Sequence, residues 1–466
     1  MKKYKTQMKN NIITFVLFLI LSNSAFANVT LPNVFSDNMV LQRNSEVTIW
    51  GWANSQEEVV ITPSWDQQKY KIKTSNQAKW EVKIPTPKEG GPYTVSIKGN
   101  NEILLKNILI GEVWICSGQS NMEMPASWGI ENGDEAVKNA MNLNIRFFMI
   151  PKLSATSPQN NLSGSWTECT PETMKHFSAV GYFFAKRLQE ELKNVPIGLI
   201  GSNWGGTPAE IWMPEKVIQD DNVLLESAKT RKEEIYGPNQ PGRAFNAMIF
   251  PLVGFKIAGV IWYQGESNVG SMVYDKTFTA LITSWRKLWN YEFPFYYVQI
   301  APFKYGENHF GGVEIRNAQR KVLQEVPNTG MAITSDISPI DDIHPKDKKS
   351  VGVRLANLAL TNTYKTNSDL VNGPLYKGIK IEKNKVVVAF DYADGLHFKV
   401  KKSNQFEIAG DDNVFYTAET LIKKNKVILK SDKVVHPVKV RFAWANTAQS
   451  ELFNSANLPA SSFVSE

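Results

Sequence analysis

Short apolar runs alternate with helix-like stripes between residues 107 and 365, and this alternation constrains the fold more than any other feature of the sequence. In one candidate helix, apolar residues recur every fourth position at Val180, Phe184 and Leu188. Such alternation is typical of parallel βαβ units, because a helix returns the chain to the start of the next strand. We therefore predict an α/β fold, a three-layer α/β/α sandwich with a parallel sheet. Its candidate strands cover residues 112–116, 197–201, 260–263, 295–300 and 331–334.

The segments on either side of this α/β domain (residues 107–365) have a different pattern. Residues 28–106 contain short β-rich runs between turn residues, at the spacing of a β-sandwich. Residues 366–466 return to short β runs. We predict an N-terminal β-sandwich-like domain over the first segment and a C-terminal β-rich region over the second.

Residues 1–27 have the features of a secretory signal peptide. A lysine-rich head precedes an apolar run over residues 12–21, and Ala25-Phe26-Ala27 forms a small-residue cleavage site. About ten apolar residues are too few to span a bilayer, which needs roughly twenty. We predict a secreted or periplasmic protein that has no membrane attachment after signal cleavage.

The charge of the chain argues against nucleic-acid binding. The formal net charge is +7, but the signal segment carries four lysines and no acid. Subtracting those four charges leaves +3 for residues 28–466, so the basic character does not belong to the mature protein.

The two cysteines, Cys116 and Cys169, form no metal-ligand pattern, and Cys116 lies in an apolar run that predicts a buried side chain.

Polar loops follow four of the five candidate strands, and three of these loops contain glycine. Because the carboxyl ends of parallel strands meet at one edge of a sheet, these loops are expected to converge there. The joint pattern is harder to obtain by chance than any single loop. The loops cover residues 117–122, 201–207, 264–268 and 335–345.

The residue types in these loops predict nucleophilic catalysis. A serine hydroxyl such as that of Ser120 needs a neighbouring base to take its proton. Among the five histidines, only His344 lies in one of these polar loops. Asp341 or Asp342 can orient its imidazole. We predict Ser120 as the nucleophile and His344 as the base.

A tetrahedral intermediate also needs hydrogen-bond donors that are fixed in advance. The candidates are the backbone N–H groups of Ser120, Gly205 and Gly206 and the side-chain amide of Gln264. Glycine at such a position lets the backbone approach the substrate closely. The remaining polar and aromatic side chains of the loops are predicted to contact the substrate, namely Asn121, Trp204, Glu266 and Asn268.

These loops resemble those of the sialate O-acetylesterase family, a branch of the SGNH hydrolases. The resemblance covers essentially the whole mature chain and depends most on Gly118-Gln119-Ser120-Asn121-Met122, Gln264-Gly265-Glu266-Ser267-Asn268 and Ile343-His344-Pro345. It implies a serine esterase with an acetyl-serine intermediate, no metal or cofactor, and an acetylated sugar as substrate. It also implies Ser120 as nucleophile, His344 as base and Gln264 as part of the oxyanion hole.

The resemblance leaves the acidic residue open. The wider SGNH pattern Asp-x-x-His selects Asp341, whereas the form Asp-Ile-His-Pro selects Asp342, and we favour Asp341. A backbone carbonyl could also orient the imidazole, in which case neither carboxylate is essential.

Four alternatives to this interpretation differ in what they require. The same chemistry could act on another acetylated glycan, such as xylan. A glycosidase would pair Glu266 with Asp341 or Asp342 but would leave Ser120 unused. A zinc deacetylase could use Asp341, Asp342 and His344, but no second histidine lies in the four loops. A non-catalytic carbohydrate-binding protein would not require an activated serine. Flanking aromatics such as Trp212 and Tyr263 are more typical of a core than of a sugar platform.

Overall fold

The computed structural model describes residues 28–232, 235–306, 310–366 and 369–465. The predicted signal peptide therefore lies outside the described residues. The described chain forms two compact units. One comprises residues 28–31, 49–82 and 94–104, and the other comprises residues 32–48, 83–93 and 105–465. The predicted boundary at residue 106 does not separate these units, because residues 32–48 and 83–93 belong with the larger one.

The first segment of the chain is β-rich, as predicted. In the smaller unit, β3 pairs antiparallel with β4 and with the end of β6. Val59 and Ile61 of β3 are buried while their neighbours are more exposed, which is the alternation of a half-buried strand. The strands of this segment are β1 (Val40–Gln42), β2 (Glu46–Trp52), β3 (Glu58–Pro63), β4 (Tyr70–Lys73), β5 (Lys79–Pro85) and β6 (Gly90–Lys98).

A mainly parallel sheet forms the centre of the larger unit. Its order is β13-β12-β11-β7-β10-β8-β9, and every pair is parallel except β8 with β9. Its strands are β7 (Glu102–Gly118), β8 (Asn142–Met149), β9 (Trp166–Cys169), β10 (Ile197–Asn203), β11 (Gly259–Tyr263), β12 (Phe295–Val298) and β13 (Thr329–Ala332). All five predicted strands are present, and the predicted α/β class is confirmed.

Helices cover both faces of this sheet. The helices are α1 (Ser120–Glu123), α2 (Gly133–Lys138), α3 (Pro171–Met174), α4 (Ala179–Glu191), α5 (Glu215–Gln219), α6 (Asn222–Lys229), α7 (Tyr274–Trp289), α8 (Gly311–Glu325) and α9 (Lys348–Asn362). Successive side chains of a strand point to opposite faces. Tyr263 of β11 accordingly joins the core under α4 and α9, while Trp262 packs against Phe278 and Trp285 of α7. This arrangement is the predicted three-layer sandwich.

Short 3-10 helices and one π-helical turn complete the helical elements of the described residues. The 3-10 helices are Ala126–Trp128, Ala209–Trp212, Phe250–Leu252 and Glu266–Asn268, and the π-helical turn is Phe245–Ile249. Cys116 and Cys169 are buried and unpaired. No helix in the described ranges is both long enough and apolar enough to cross a membrane.

The C-terminal part of the larger unit is β-rich, as predicted, and has an apolar cluster of its own. Val386 and Val388 of β15 and Phe463 of β23 are fully buried in that cluster. Its strands are β14 (Leu375–Glu382), β15 (Lys385–Asp391), β16 (His397–Phe398), β17 (Phe406–Ala409), β18 (Tyr416–Thr417), β19 (Glu419–Lys423), β20 (Lys426–Lys430), β21 (Lys439–Phe442), β22 (Leu452–Phe453) and β23 (Phe463–Val464).

Candidate active site

Ser120 begins α1 immediately beyond the carboxyl end of β7. The tight turn before it depends on Gly118, whose φ is +134° and whose added Cβ would lie 2.2 Å from the carbonyl oxygen of Tyr263. Only glycine tolerates both the positive φ and this close approach. The turn therefore leaves the Ser120 hydroxyl half-buried at the carboxyl edge of the sheet.

His344 lies in the loop between β13 and α9, and its Nε2 is 2.8 Å from Ser120 Oγ. Burial lowers the pKa of His344, and the Lys348 ammonium lowers it further. The carboxylates of Asp342 and Glu123 act in the opposite direction. The net direction favours a neutral imidazole, which is the form that can accept the serine proton. The structure thus brings together the two residues to which the sequence assigns nucleophile and base.

The two candidate acids occupy different environments. Asp342 is half-buried, and its Oδ1 accepts a hydrogen bond from the backbone N–H of His344 at 2.8 Å. Asp341 is exposed and is absent from the charges that shift the pKa of His344. Within the described chain, no hydrogen bond joins either carboxylate to a ring nitrogen of His344. Our preference for Asp341 therefore finds no support in the geometry: Asp342 is the acid that contacts the His344 backbone, and its charge acts to raise the pKa of His344.

A pocket of about 800 Å³ opens over Ser120 and His344. Two aromatic side chains at its wall are unusually exposed, Trp128 at 50% and Tyr236 at 68%. Three cationic side chains, Lys152, Arg231 and Lys232, also line it. None of these five residues was predicted from the sequence, since each lies outside the four polar loops. The other lining residues are Gln119, Ser120, Glu123, Gly205, Gly206, Pro208, Thr230, Glu266, Ser267, Val269, Ile343 and His344.

The predicted oxyanion donor Gly205 is already engaged. Its backbone N–H donates to Glu123 Oε2 at 2.7 Å, and Glu123 Oε1 lies 2.6 Å from Lys152 Nζ. The carboxylate of Glu123 is held from both sides, so the Gly205 N–H is not free for a substrate oxygen. Gly206 lines the pocket with a φ of +75° and is the remaining glycine candidate.

The Gln264 side chain does not lie where the predicted oxyanion role requires it. Its side chain is fully buried and is not part of the pocket wall. Nε2 donates to Asn268 Oδ1 at 2.7 Å and to the Thr207 carbonyl at 3.3 Å, while Oε1 accepts from the Tyr274 hydroxyl at 2.8 Å. An oxyanion donor must have a free N–H aimed at the reacting oxygen. Gln264 therefore braces the loops in this structure.

Two predicted substrate contacts are likewise internal. Asn268 is fully buried, and its Nδ2 donates to both carboxylate oxygens of Glu210 at 3.1 and 2.9 Å. Asn121 is fully buried, and its Nδ2 donates to Glu266 Oε1 at 2.6 Å and to the Ile343 carbonyl at 2.9 Å. Neither side chain lines the pocket.

Glu266 does line the pocket, as predicted, although it is only 8% exposed. Within the described residues its Oε2 has no hydrogen-bond partner. Burial raises the pKa of Glu266, while its contacts with Asn121 and Lys348 act in the opposite direction. Glu266 therefore lies at the pocket wall with one buried acceptor oxygen whose hydrogen-bonding capacity is unused.

The three aromatic residues in or beside the loops do not line the pocket, and Trp204 is half-buried. Trp204 does not line the pocket, and its Nε1 donates to the Tyr236 carbonyl at 2.7 Å. Trp212 and Tyr263 are fully buried. This outcome agrees with the interpretation of the last two as core residues and removes Trp204 from the predicted substrate contacts.

Across the described ranges, no group of three histidine, cysteine, aspartate or glutamate side chains is arranged to hold a metal ion.

Known proteins are similar to this chain in both sequence and fold. Residues 110–361 match the model of a family described as carbohydrate esterase, sialic acid-specific acetylesterase. A solved structure of a carbohydrate acetylesterase from Xanthomonas citri is similar to this chain with a TM-score of 0.85 and 34% sequence identity. That similarity covers 94% of this chain and 99% of the other. The predicted α/β fold class and the resemblance to the sialate O-acetylesterase family are confirmed.

Two mammalian enzymes are similar over most of the chain. The human sialate O-acetylesterase is 30% identical over 438 residues, which cover 85% of this chain and 83% of the human one. The mouse sialate O-acetylesterase is 27% identical over 533 residues, with 97% of each chain covered.

Proposed function

This chain belongs to the sialic acid-specific acetylesterase family of carbohydrate esterases, and from that premise we propose that it removes acetyl groups from O-acetylated sialic acid by a serine mechanism. It is a carboxylic ester hydrolase of acetylated carbohydrates. The observation that carries the mechanism is the 2.8 Å contact between Ser120 Oγ and His344 Nε2 at the base of the pocket.

In the acylation step, Ser120 Oγ attacks the carbonyl carbon of the acetyl ester while His344 Nε2 takes the hydroxyl proton. The tetrahedral intermediate then collapses. The bond between the carbonyl carbon and the sugar oxygen breaks, and that oxygen leaves with the proton from His344. The product is a free sugar hydroxyl and an acetyl group on Ser120.

In the deacylation step, water attacks the acetyl-serine and gives a proton to His344. Acetate leaves when the bond to Ser120 Oγ breaks and Oγ regains that proton. Both tetrahedral intermediates carry a negative oxygen. We assign its donors to the backbone N–H groups of Ser120 and Gly206, since the first N–H groups of a helix have no intrahelical acceptor and Gly205 is occupied by Glu123.

The charge of the pocket supports an acidic sugar. Lys152, Arg231 and Lys232 line the pocket, and the Nε of Arg231 is buried without a hydrogen-bond partner in the described chain. Its nearest carboxylate oxygen is Glu210 Oε1, at 3.9 Å. Sialic acid carries a carboxylate, which guanidinium and ammonium groups bind through charge-assisted hydrogen bonds. Lys152 already has Glu123 as a partner at 2.6 Å, but a neutral sugar such as acetylated xylose would offer no carboxylate to Lys232 or to the Nε of Arg231.

The exposed aromatic residues support a sugar ligand. Trp128 and Tyr236 lie at the pocket wall with half or more of their surface open to solvent. Large aromatic side chains exposed at a concave site are typical of ligand binding. They provide apolar faces against which the C–H faces of a sugar ring can pack.

The test compares acetate release from an O-acetylated sialic acid, from its methyl ester and from acetylated xylan. We expect kcat/KM for the free acid to exceed that for the neutral methyl ester by about tenfold, a difference that high salt reduces. Ser120→Ala should lose several orders of magnitude in turnover. Preference for acetylated xylan would refute the substrate, and a Ser120→Ala variant that keeps a tenth of wild-type turnover would refute the nucleophile.

A matched pair of lysine variants tests the charge argument. Lys232→Gln removes a cation from the pocket wall and should reduce the preference for the free acid over the methyl ester. Lys229→Gln removes an exposed cation of α6 that is not part of the wall, and it should leave the preference unchanged. Equal effects of the two substitutions would attribute the preference to the general charge of the protein.

We also propose that the protein is exported to the periplasm or the medium. The support is the lysine-rich head, the short apolar run and the Ala25-Phe26-Ala27 site of the sequence. N-terminal sequencing of the mature protein should begin at Asn28, and a retained Met1 would refute export through this signal.

A further inference from the structure

The buried Asn121 amide connects the two residues that react, although it touches neither. We propose that Lys348 is a positioning residue: it fixes the orientation of the Asn121 amide, and that amide ties the loop of His344 to the helix of Ser120. The inference rests on the proposed serine mechanism. It goes beyond that mechanism because Lys348 lies in none of the predicted site motifs and does not line the pocket.

The orientation of the amide follows from the chemistry of its neighbours. Lys348 Nζ donates to Asn121 Oδ1 at 2.6 Å. A lysine ammonium has donors and no acceptor, so only the amide oxygen can face it. The nitrogen of Asn121 then faces two acceptors, Glu266 Oε1 at 2.6 Å and the Ile343 carbonyl at 2.9 Å. Lys348 therefore fixes the amide together with these two acceptors, and without Lys348 the buried Asn121 Oδ1 would lose the donor that holds it in place.

The same amide spans three loops at the carboxyl edge of the sheet. Asn121 follows Ser120 in α1, Ile343 precedes His344 in the loop after β13, and Glu266 lies in the loop after β11. The hydrogen bond from Asn121 to Ile343 therefore joins the neighbours of nucleophile and base. A displacement of about 1 Å between reacting groups can cost roughly 10²-fold in rate, so such a tie acts on turnover.

Lys348 also supplies charge. Its side chain is 1% exposed and faces the Asn121 oxygen, the ring of Tyr263 and the carboxylates of Glu266, Asp342 and Asp347. Burial lowers the pKa of Lys348 to about 7, and those carboxylates act in the opposite direction. At the lower pH at which His344 titrates, Lys348 is therefore protonated.

The Lys348 ammonium affects the pKa of His344, the proposed base. The groups that face His344 are Ser120, Lys348, Asp342 and Glu123, and the Lys348 ammonium lowers the pKa of His344. Removal of the cation should therefore raise that pKa. The neutral, reactive imidazole would then be lost at a higher pH than in the wild type.

The experiment measures kcat, KM and the pH dependence of kcat/KM for 4-nitrophenyl acetate, a neutral ester that does not depend on the sugar. Lys348→Met removes both the donor and the charge at nearly constant side-chain length. We expect kcat to fall by about 10²-fold with KM changed by less than about threefold, and the acidic limb of the profile to move to higher pH. Lys349→Met is the matched control, because Lys349 is the next residue of α9 and is exposed; it should retain wild-type kinetics.

The substitution Asn121→Asp is a second test of the proposal, and it applies even if Lys348→Met does not fold. Aspartate can still accept from Lys348, but it cannot donate to the Ile343 carbonyl, so kcat should again fall by about 10²-fold. Wild-type kcat in either folded variant, or an unshifted acidic limb in Lys348→Met, would overturn the proposal. The proposed substrate is tested separately, because a chain inactive on acetylated sialic acid could still show these effects on 4-nitrophenyl acetate.

Discussion

The substitution Gln264→Ala distinguishes a structural role of this side chain from a role as oxyanion donor. The structural role predicts a loss of stability, whereas the oxyanion role predicts a loss of turnover. In the structure the Gln264 side chain gives the Tyr274 hydroxyl its acceptor at 2.8 Å and gives a donor to Asn268 at 2.7 Å. Truncation leaves the fully buried Tyr274 hydroxyl with only its longer contact, 3.4 Å to the Gln264 backbone carbonyl, and the loss of the shorter bond costs about 1–3 kcal/mol. Asn268 Oδ1 is less affected, because it still accepts from the Ala209 N–H at 2.9 Å.

The lost packing adds to this cost. Removing a buried methylene costs about 0.8 kcal/mol, and the space left by the amide adds a cavity contribution of similar size. We therefore expect the free energy of unfolding to fall by roughly 2–4 kcal/mol and the melting temperature by about 4 °C or more. Turnover per folded molecule should change by less than tenfold.

Thermal unfolding and turnover of 4-nitrophenyl acetate measure the two quantities on one preparation. Tyr274→Phe and the double variant complete a mutant cycle, in which the two losses of stability should be less than additive by about 1 kcal/mol. An oxyanion donor would behave in the opposite way. If turnover fell by about 10²-fold or more while stability stayed at the wild-type level, the bracing role would be refuted and the role predicted from sequence restored.

Two further predictions concern the base and its acid. The lowered pKa of His344 means that the neutral imidazole persists to lower pH, so kcat/KM for a neutral ester should fall with decreasing pH around a midpoint below 6.5; a midpoint above 6.5 would contradict the assigned direction. Asp342→Asn should move this midpoint lower still and reduce kcat by about tenfold, whereas Asp341→Asn, at an exposed residue, should change kcat by less than about twofold. Reversed severities would move the orienting acid to Asp341.

The sheet and the convergence of the four loops were predictable, because they depend on local patterns. Parallel strands with helical crossovers place every carboxyl end at one edge, so Ser120 and His344 could be paired from 224 residues apart in sequence. The boundary of the N-terminal domain was less predictable. Val40 of β1 pairs in parallel with Leu109 of β7, and this long-range pairing places residues 32–48 in the larger unit.

Lys348 shows why the rest of the site could not be predicted. Lysine is rarely buried without a partner, so a lysine at the start of a predicted helix is expected to be solvated. Its burial depends on Asn121 and Glu266, which come from two other loops and meet it only in the folded chain. The orientation of Asp341 and Asp342 has the same origin, since adjacent side chains in a loop differ in burial for reasons that no local pattern contains.

The capacity of each side chain for hydrogen bonds explains which predicted residues reach the pocket. Asn121, Gln264 and Asn268 have their amides filled by internal partners, so binding a substrate would first break buried hydrogen bonds. Polar side chains whose hydrogen-bond partners are all internal hold the loops in place. Under the proposed function, recognition of the sugar is shared between Glu266 and side chains outside the recognisable strings, namely Trp128, Lys152, Arg231, Lys232 and Tyr236. The strings therefore predict the chemistry proposed for the site, but they contain no signal for these five residues of the pocket wall.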